Sequence, residues 1–283
     1  MKKPSGISPP IGRRTFMKAA GITAAGYALA VQPVSAETIT TTADGLVTAD
    51  VTVSRGADAI PVYLARPDQE GRFPAIMVVH EIFGQHEHIR DVARRFAHEG
   101  FIAAAPELYF REGGVGDLKS FSEILSVVRS VSDRQVLDDL KALLTHVKGM
   151  GQSNGKVGVT GFCWGGRIVW LMAAETRRIS AGVAWYGRLS GSNPPLQPQS
   201  PLELAEKMKA PVLGLYGGAD RGIPLSDVQA MQVALKEKKK PHDFMVYAGA
   251  PHAFYADYRA SYRKKAARDG WQRCLAWFRH YLA

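Results

Sequence analysis

The chain has 283 residues, 46% hydrophobic and 22% charged, an ordinary globular composition with material for one large core. Its net charge of +10 is uneven: residues 1–36 hold Lys2, Lys3, Arg13, Arg14 and Lys18 and no acid, and the other 31 basic residues face 26 acids, a net +5. That modest excess does not support a nucleic-acid partner, and no Cys/His cluster has metal-ligand spacing, so no metal is expected.

The leader carries its own pattern. Arg13-Arg14-Thr15-Phe16-Met17-Lys18 resembles the twin-arginine export motif, the small-residue apolar stretch Ala19 to Val31 follows, and Val34-Ser35-Ala36 supplies a small-x-small cleavage site. The apolar run is too short for a membrane span, which needs about 20 apolar residues. Residues 1–36 are therefore expected to be a cleaved export signal used by the twin-arginine machinery. Residues 37–283 are expected to form a single domain, a monomer working in the periplasm or outside the cell.

Leu46 to Ser54 and Ala59 to Ala65 alternate apolar and polar residues around Arg55-Gly56-Ala57-Asp58, which predicts an antiparallel hairpin. Ala75 to Val79 is a continuous apolar run, as expected for a strand buried on both faces. His80-Glu81-Ile82-Phe83-Gly84 follows it, and His86 to Glu99 has helical spacing with Gly100 as its stop. Phe101 to Ala105 predicts the next strand. Leu118 to Val131 and Arg134 to Val147 predict helices. Further strands are expected at Lys156 to Thr160, Ile179 to Tyr186, Ala210 to Tyr216 and Asp243 to Tyr247. Arg167 to Glu175, Pro224 to Lys238 and a closing segment from Asp257 or Ser261 to about Leu282 read as helices. The run Lys236 to Lys240 is the solvated end of one of them. Strands separated by helices of this length indicate a mainly parallel sheet with helices on both faces.

Gly161-Phe162-Cys163-Trp164-Gly165-Gly166 lies between a strand and a helix, the pattern of the nucleophile elbow of α/β-hydrolases. The glycines permit a sharp turn, and the side chain between them stands at the strand end; here it is a thiol. Asp220 follows the Ala210 strand and His252 follows the last one, in the nucleophile–acid–histidine order of that fold. The Cys163 thiolate would attack an acyl carbon, His252 would carry the proton, and Asp220 would orient His252. The backbone N–H groups of Trp164 and Ile82 are the expected oxyanion donors. Asp220 could also serve as a turn-former beside Gly222. Cys274, among Trp271, Leu275, Trp277 and Phe278, is expected to be a small buried hydrophobe, although an exported chain could pair it with Cys163.

The segments His80-Glu81-Ile82-Phe83-Gly84, Glu107-Leu108-Tyr109, Gly161 to Gly166, Gly217-Gly218-Ala219-Asp220 and Pro251-His252-Ala253-Phe254 together resemble the dienelactone hydrolase (carboxymethylenebutenolidase) family, from about Val47 to the C-terminus. The resemblance implies an α/β-hydrolase fold, no cofactor, and a Cys163-His252-Asp220 triad acting on a small-molecule lactone or ester. It also implies that Glu81 contacts the nucleophile and helps deprotonate it when substrate binds. A carboxylate beside a thiolate repels it, which fits a guarded nucleophile. Family members that act on dienelactone hold its carboxylate with two arginines. Arg111 matches the first, with Tyr109 and Phe83 as neighbouring substrate contacts. The second position is Ala256 here, and Arg259 or Tyr258 on the next turn could replace it. The alternatives are a thioesterase or other thiol esterase, or a binding protein that keeps the fold.

Overall fold

A computed structural model describes residues 38–191 and 193–283. The expected leader, residues 1–36, lies outside the described residues. Among those described, no helix is long and apolar enough to cross a membrane.

Eight strands form one sheet in the order β1-β2-β4-β3-β5-β6-β7-β8. Strands β1 (Leu46–Arg55) and β2 (Asp58–Pro67) pair antiparallel from Leu46↔Pro67 to Arg55↔Asp58. This is the hairpin that the alternation predicts. Strand β2 joins β4 (Ile102–Pro106) antiparallel, and every other pairing is parallel. Strands β3 (Phe73–Val79), β5 (Ser153–Phe162), β6 (Ala181–Trp185) and β7 (Val212–Gly217) carry the continuous apolar runs, and β8 (His242–Tyr247) closes the edge.

Among the described residues six α-helices accompany the strands, the last of them after β8: α1 (Glu87–His98), α2 (Phe121–Ser130), α3 (Asp133–Gly149), α4 (Trp164–Glu175), α5 (Leu225–Glu237) and α6 (Lys264–Leu282). They cover both faces of the sheet. A side chain at Gly158 would point at Phe278 of α6, whereas one at Gly182, which pairs with Val159, would point at Val169 of α4. Successive strand residues face opposite sides, so α4 and α6 lie on opposite layers.

Several boundaries differ from expectation. Helix α2 starts at Phe121 because Ser120 and Glu123 form a reciprocal capping box there. Helix α4 starts at Trp164, directly after the nucleophile position. Helix α6 starts only at Lys264. The stretch before it is turns, with Arg259 N donating to Ala256 O at 3.0 Å and Tyr262 N to Arg259 O at 3.0 Å. A short 3-10 run, Leu202–Lys207, precedes β7, a stretch for which the sequence gives no expectation. Cys274 is wholly buried in α6, burial pushes its thiol up, and both cysteines are free, so the disulfide alternative is not realised.

Candidate active site

The elbow is built by close backbone packing. Strand β5 ends at Phe162 and α4 begins at Trp164, leaving Cys163 alone at φ 55°, ψ −111°. Its N–H donates to Trp185 O at 3.0 Å and its carbonyl accepts from Arg167 N at 3.2 Å. A Cβ on Gly161 would lie 2.3 Å from Gly165 O, and one on Gly166 would lie 2.4 Å from Trp185 O. Only glycine lets β5, β6 and α4 meet this closely. A left-handed non-glycine residue costs about 1–3 kcal/mol, and it survives here because that packing determines the turn.

Asp220 follows β7 and does two things at once. Its Oδ1 accepts from Gly222 N at 2.8 Å and Ile223 N at 3.2 Å, which makes the turn. Its Oδ2 lies 2.7 Å from His252 Nδ1. With Nδ1 so engaged, Nε2 is the nitrogen left for Cys163. Burial opposes charge on His252, but the negative charge of Cys163 and hydrogen bonds to Asp220 and Cys163 outweigh it, and its pKa is pushed up to about 10. A raised pKa means that the folded state binds the proton more tightly than the unfolded one. The resulting stability is complete below the unfolded value of 6.5 and is lost as pH rises through about 10. The melting-temperature advantage of wild type over His252→Gln should therefore shrink between those pH values. A constant advantage would contradict the charged pair.

Glu81 sits just after β3 and is buried. The loop is pinned by His80, whose Nδ1 lies 2.6 Å from Glu81 O while its Nε2 accepts from Leu108 N at 3.1 Å. The Glu81 carboxylate accepts from Tyr258 Oη at 2.8 Å. Burial favours its neutral form, yet the nearby Arg259 guanidinium prevails and holds Glu81 below the usual carboxylate range. His86 Nε2 is 4.0 Å from Glu81, but burial pushes His86 down to about 3, so it is neutral and Arg259 is the compensating cation. Arg259 is itself buried, with its guanidinium carbon 4.2 Å above the Phe83 ring.

Cys163 opens into a cleft of about 440 Å³ lined by Ile82, Trp164, Tyr186 and the apolar face of α2, including Leu125 and Val128. Arg167 lines it too but is committed to Asp133, at 2.6 and 2.7 Å. The exposed Arg129 and Arg188 also line it, and neither has an ion-pair partner among the described residues. Ile82 and Trp164 thus flank Cys163 as their chain positions require.

None of the three expected substrate contacts, Arg111, Tyr109 and Phe83, is among the residues lining this cleft. Arg111 is not in the cleft: its Nε donates to Asp58 at 2.9 Å and its Nη1 to Asp139 at 2.7 Å, and Arg55 also reaches Asp139. Asp139 is buried and needs that charge more than a ligand does. Tyr109 is wholly buried, 4.9 Å from the Trp164 ring and 4.7 Å from His80, so it backs the site. Phe83 serves as a shelf for Arg259. Sequence reasoning also passed over Tyr186 and His86. Tyr186 lies just past a strand's C-terminal end, as Cys163, Asp220 and His252 also follow strands, and that placement is a usable signal. His86 offered none beyond its proximity in space.

Among the described residues, no group of His, Cys, Asp and Glu could hold a metal ion. The model of the dienelactone hydrolase family matches residues 60–282. A Methylorubrum extorquens protein provisionally named carboxymethylenebutenolidase is 51% identical over 274 residues, covering 96% of this chain and 94% of its own. A Bradyrhizobium protein provisionally named 2-oxo-3-(5-oxofuran-2-ylidene)propanoate lactonase is 32% identical over 234 residues, covering 82% and 94%. The crystal structure of a provisionally named dienelactone hydrolase from Klebsiella pneumoniae superposes with a TM-score of 0.81 at 44% identity, over 83% of this chain and 99% of that one. With the elbow, the Asp220–His252 pair and the parallel sheet in place, the chain belongs to the dienelactone hydrolase family and is a hydrolase on the α/β-hydrolase fold.

Proposed function

We propose that the protein hydrolyses a small lactone or carboxylic ester that bears an acidic group, through an acyl-enzyme on Cys163. The observation that carries this reading is the Cys163 elbow facing an imidazole held by Asp220 at 2.7 Å. The thiolate adds to the acyl carbon, and the carbonyl oxygen becomes an oxyanion stabilised by the N–H groups of Trp164 and Ile82. The C–O bond breaks, and the leaving oxygen takes the proton from His252. Water then gives a proton to His252 and attacks the thioester, which releases the acid and restores the thiol pair.

Arg259 takes the place of the absent second arginine in recognising the acidic group. Its cation lies beside Glu81, so a substrate carboxylate would compete with Glu81 for it. The Bradyrhizobium relative's named substrate is itself a lactone with a carboxylate, which agrees with such a class.

The test compares an acidic lactone with a neutral aryl ester. Arg259→Lys keeps the charge and loses the planar fork. We expect it to lower the acidic-to-neutral ratio of kcat/KM about 10-fold, equivalent to about 1.4 kcal/mol. Arg111→Ala should leave that ratio alone while lowering the melting temperature. A ratio that falls in Arg111→Ala and not in Arg259→Lys would return the recognition role to Arg111.

A further inference from the structure

Tyr186 is placed at a cost that the fold does not explain. It follows β6 with φ 38°, a conformation that non-glycine residues avoid. Its N–H donates to Leu215 O at 2.8 Å, so the backbone there is held in register with β7. Its side chain is fully buried, and its hydroxyl has no hydrogen-bond partner among the described residues. An orphaned buried hydroxyl is destabilising unless something else supplies its partner. The ring stands edge-on to His252 at 5.2 Å between centroids, and it lines the cleft with Cys163, Ile82 and Trp164. Burial, together with the charges of Glu81 and Cys163 and the Tyr258 phenol, pushes the Tyr186 phenol well above its ordinary value, so it remains a donor.

We infer that Tyr186 is a further catalytic residue whose hydroxyl donates a hydrogen bond to the leaving-group oxygen of the bound ester or lactone. This rests on the acyl-enzyme reading above. The carbonyl oxygen already has the Trp164 and Ile82 N–H groups. The leaving oxygen must face His252, which protonates it, and Tyr186 flanks that imidazole. As the C–O bond breaks, its electron pair moves onto the leaving oxygen. Tyr186 keeps its own proton and steadies that growing charge, and His252 delivers the proton that completes the alcohol. The orphaned hydroxyl thus acquires its partner only when substrate is bound, and the strained backbone keeps it aimed at that position.

The experiment compares wild type and Tyr186→Phe on esters that share one acyl group and differ in leaving group, from p-nitrophenoxide through phenoxide to an alkoxide. The expected result is a loss of kcat/KM of about 100-fold for the alkoxide, the scale of one lost charge-stabilising donor. The loss for p-nitrophenoxide, which needs little stabilisation, should be under about 3-fold, so the dependence on leaving-group basicity steepens. The melting temperature of Tyr186→Phe should equal or exceed that of wild type, because an unpaired buried hydroxyl has been removed. A uniform loss across the series, or no loss, overturns the inference. If Cys163→Ala keeps wild-type activity on the same esters, the acyl-enzyme reading itself fails and this inference falls with it. A Cys163-dependent enzyme indifferent to Tyr186→Phe sinks the inference alone.

Discussion

Replacing Cys163 with alanine should lower ester hydrolysis by about 10⁴–10⁶-fold, the range seen when the nucleophile of a cooperating triad is removed. What survives is binding and the oxyanion donors, which are backbone groups and remain in place. Melting temperature should fall modestly, because alanine removes the charge and hydrogen bond that hold the His252 proton while meeting the same left-handed backbone. A chemical readout accompanies the kinetic one. Cys274 is wholly buried in α6, so an alkylating reagent should label one thiol per native wild-type chain and none in Cys163→Ala. A peptide carrying Cys163 should gain the acyl mass when an aryl ester is quenched early in turnover. A variant that keeps more than about one hundredth of wild-type turnover would require a different nucleophile.

Gly161→Ala should cause the largest stability loss of any single methyl addition at the elbow. The added carbon would sit 2.3 Å from Gly165 O and 2.5 Å from Gly165 C, and both are backbone. Overpacking usually costs about 1–3 kcal/mol where side chains can yield. Here β5 and α4 must separate, so the cost should exceed about 3 kcal/mol, a large share of the 5–15 kcal/mol typical of a whole domain. In a chain of this size that corresponds to a fall in melting temperature of roughly 10 °C, with activity lost as Cys163 shifts. Gly116→Ala is the control, because a Cβ there meets nothing within 4 Å. It should melt within about 2 °C of wild type. Equal melting temperatures for the two variants would show that the elbow is looser than its contacts imply.

The parts legible in the sequence are those encoded locally. Strands β3 to β7 announce themselves as short apolar runs because both of their faces are covered. Cys163 was found through glycines within three residues of it, and Asp220 and His252 through their places after strands. The start of α4 was missed because Gly165 and Gly166 look like a turn; they are helical here because only glycine allows α4 to approach β3 and β6. Arg111 was misplaced for the opposite reason. Its partners, Asp58 and Asp139, are 53 and 28 residues away, and no local pattern ties them together. Arg259 and Tyr258 were named only as substitutes for a missing arginine. Their junction with Glu81 spans 177 residues for Tyr258 and depends on the turns before α6.

Cys163, Tyr186 and Ala253 all have positive φ, at 55°, 38° and 57°. The first two directly follow β5 and β6, and the third directly follows His252. A laboratory search for heat-resistant variants would therefore find easy gains in the wrong place. Glycine at 253 would relieve backbone strain at the loss of a single methyl group and be favoured by any screen that scores folded protein alone. Such screens should drift toward robust chains with blunted turnover, so improvement of this enzyme needs selection on catalysis and heat together.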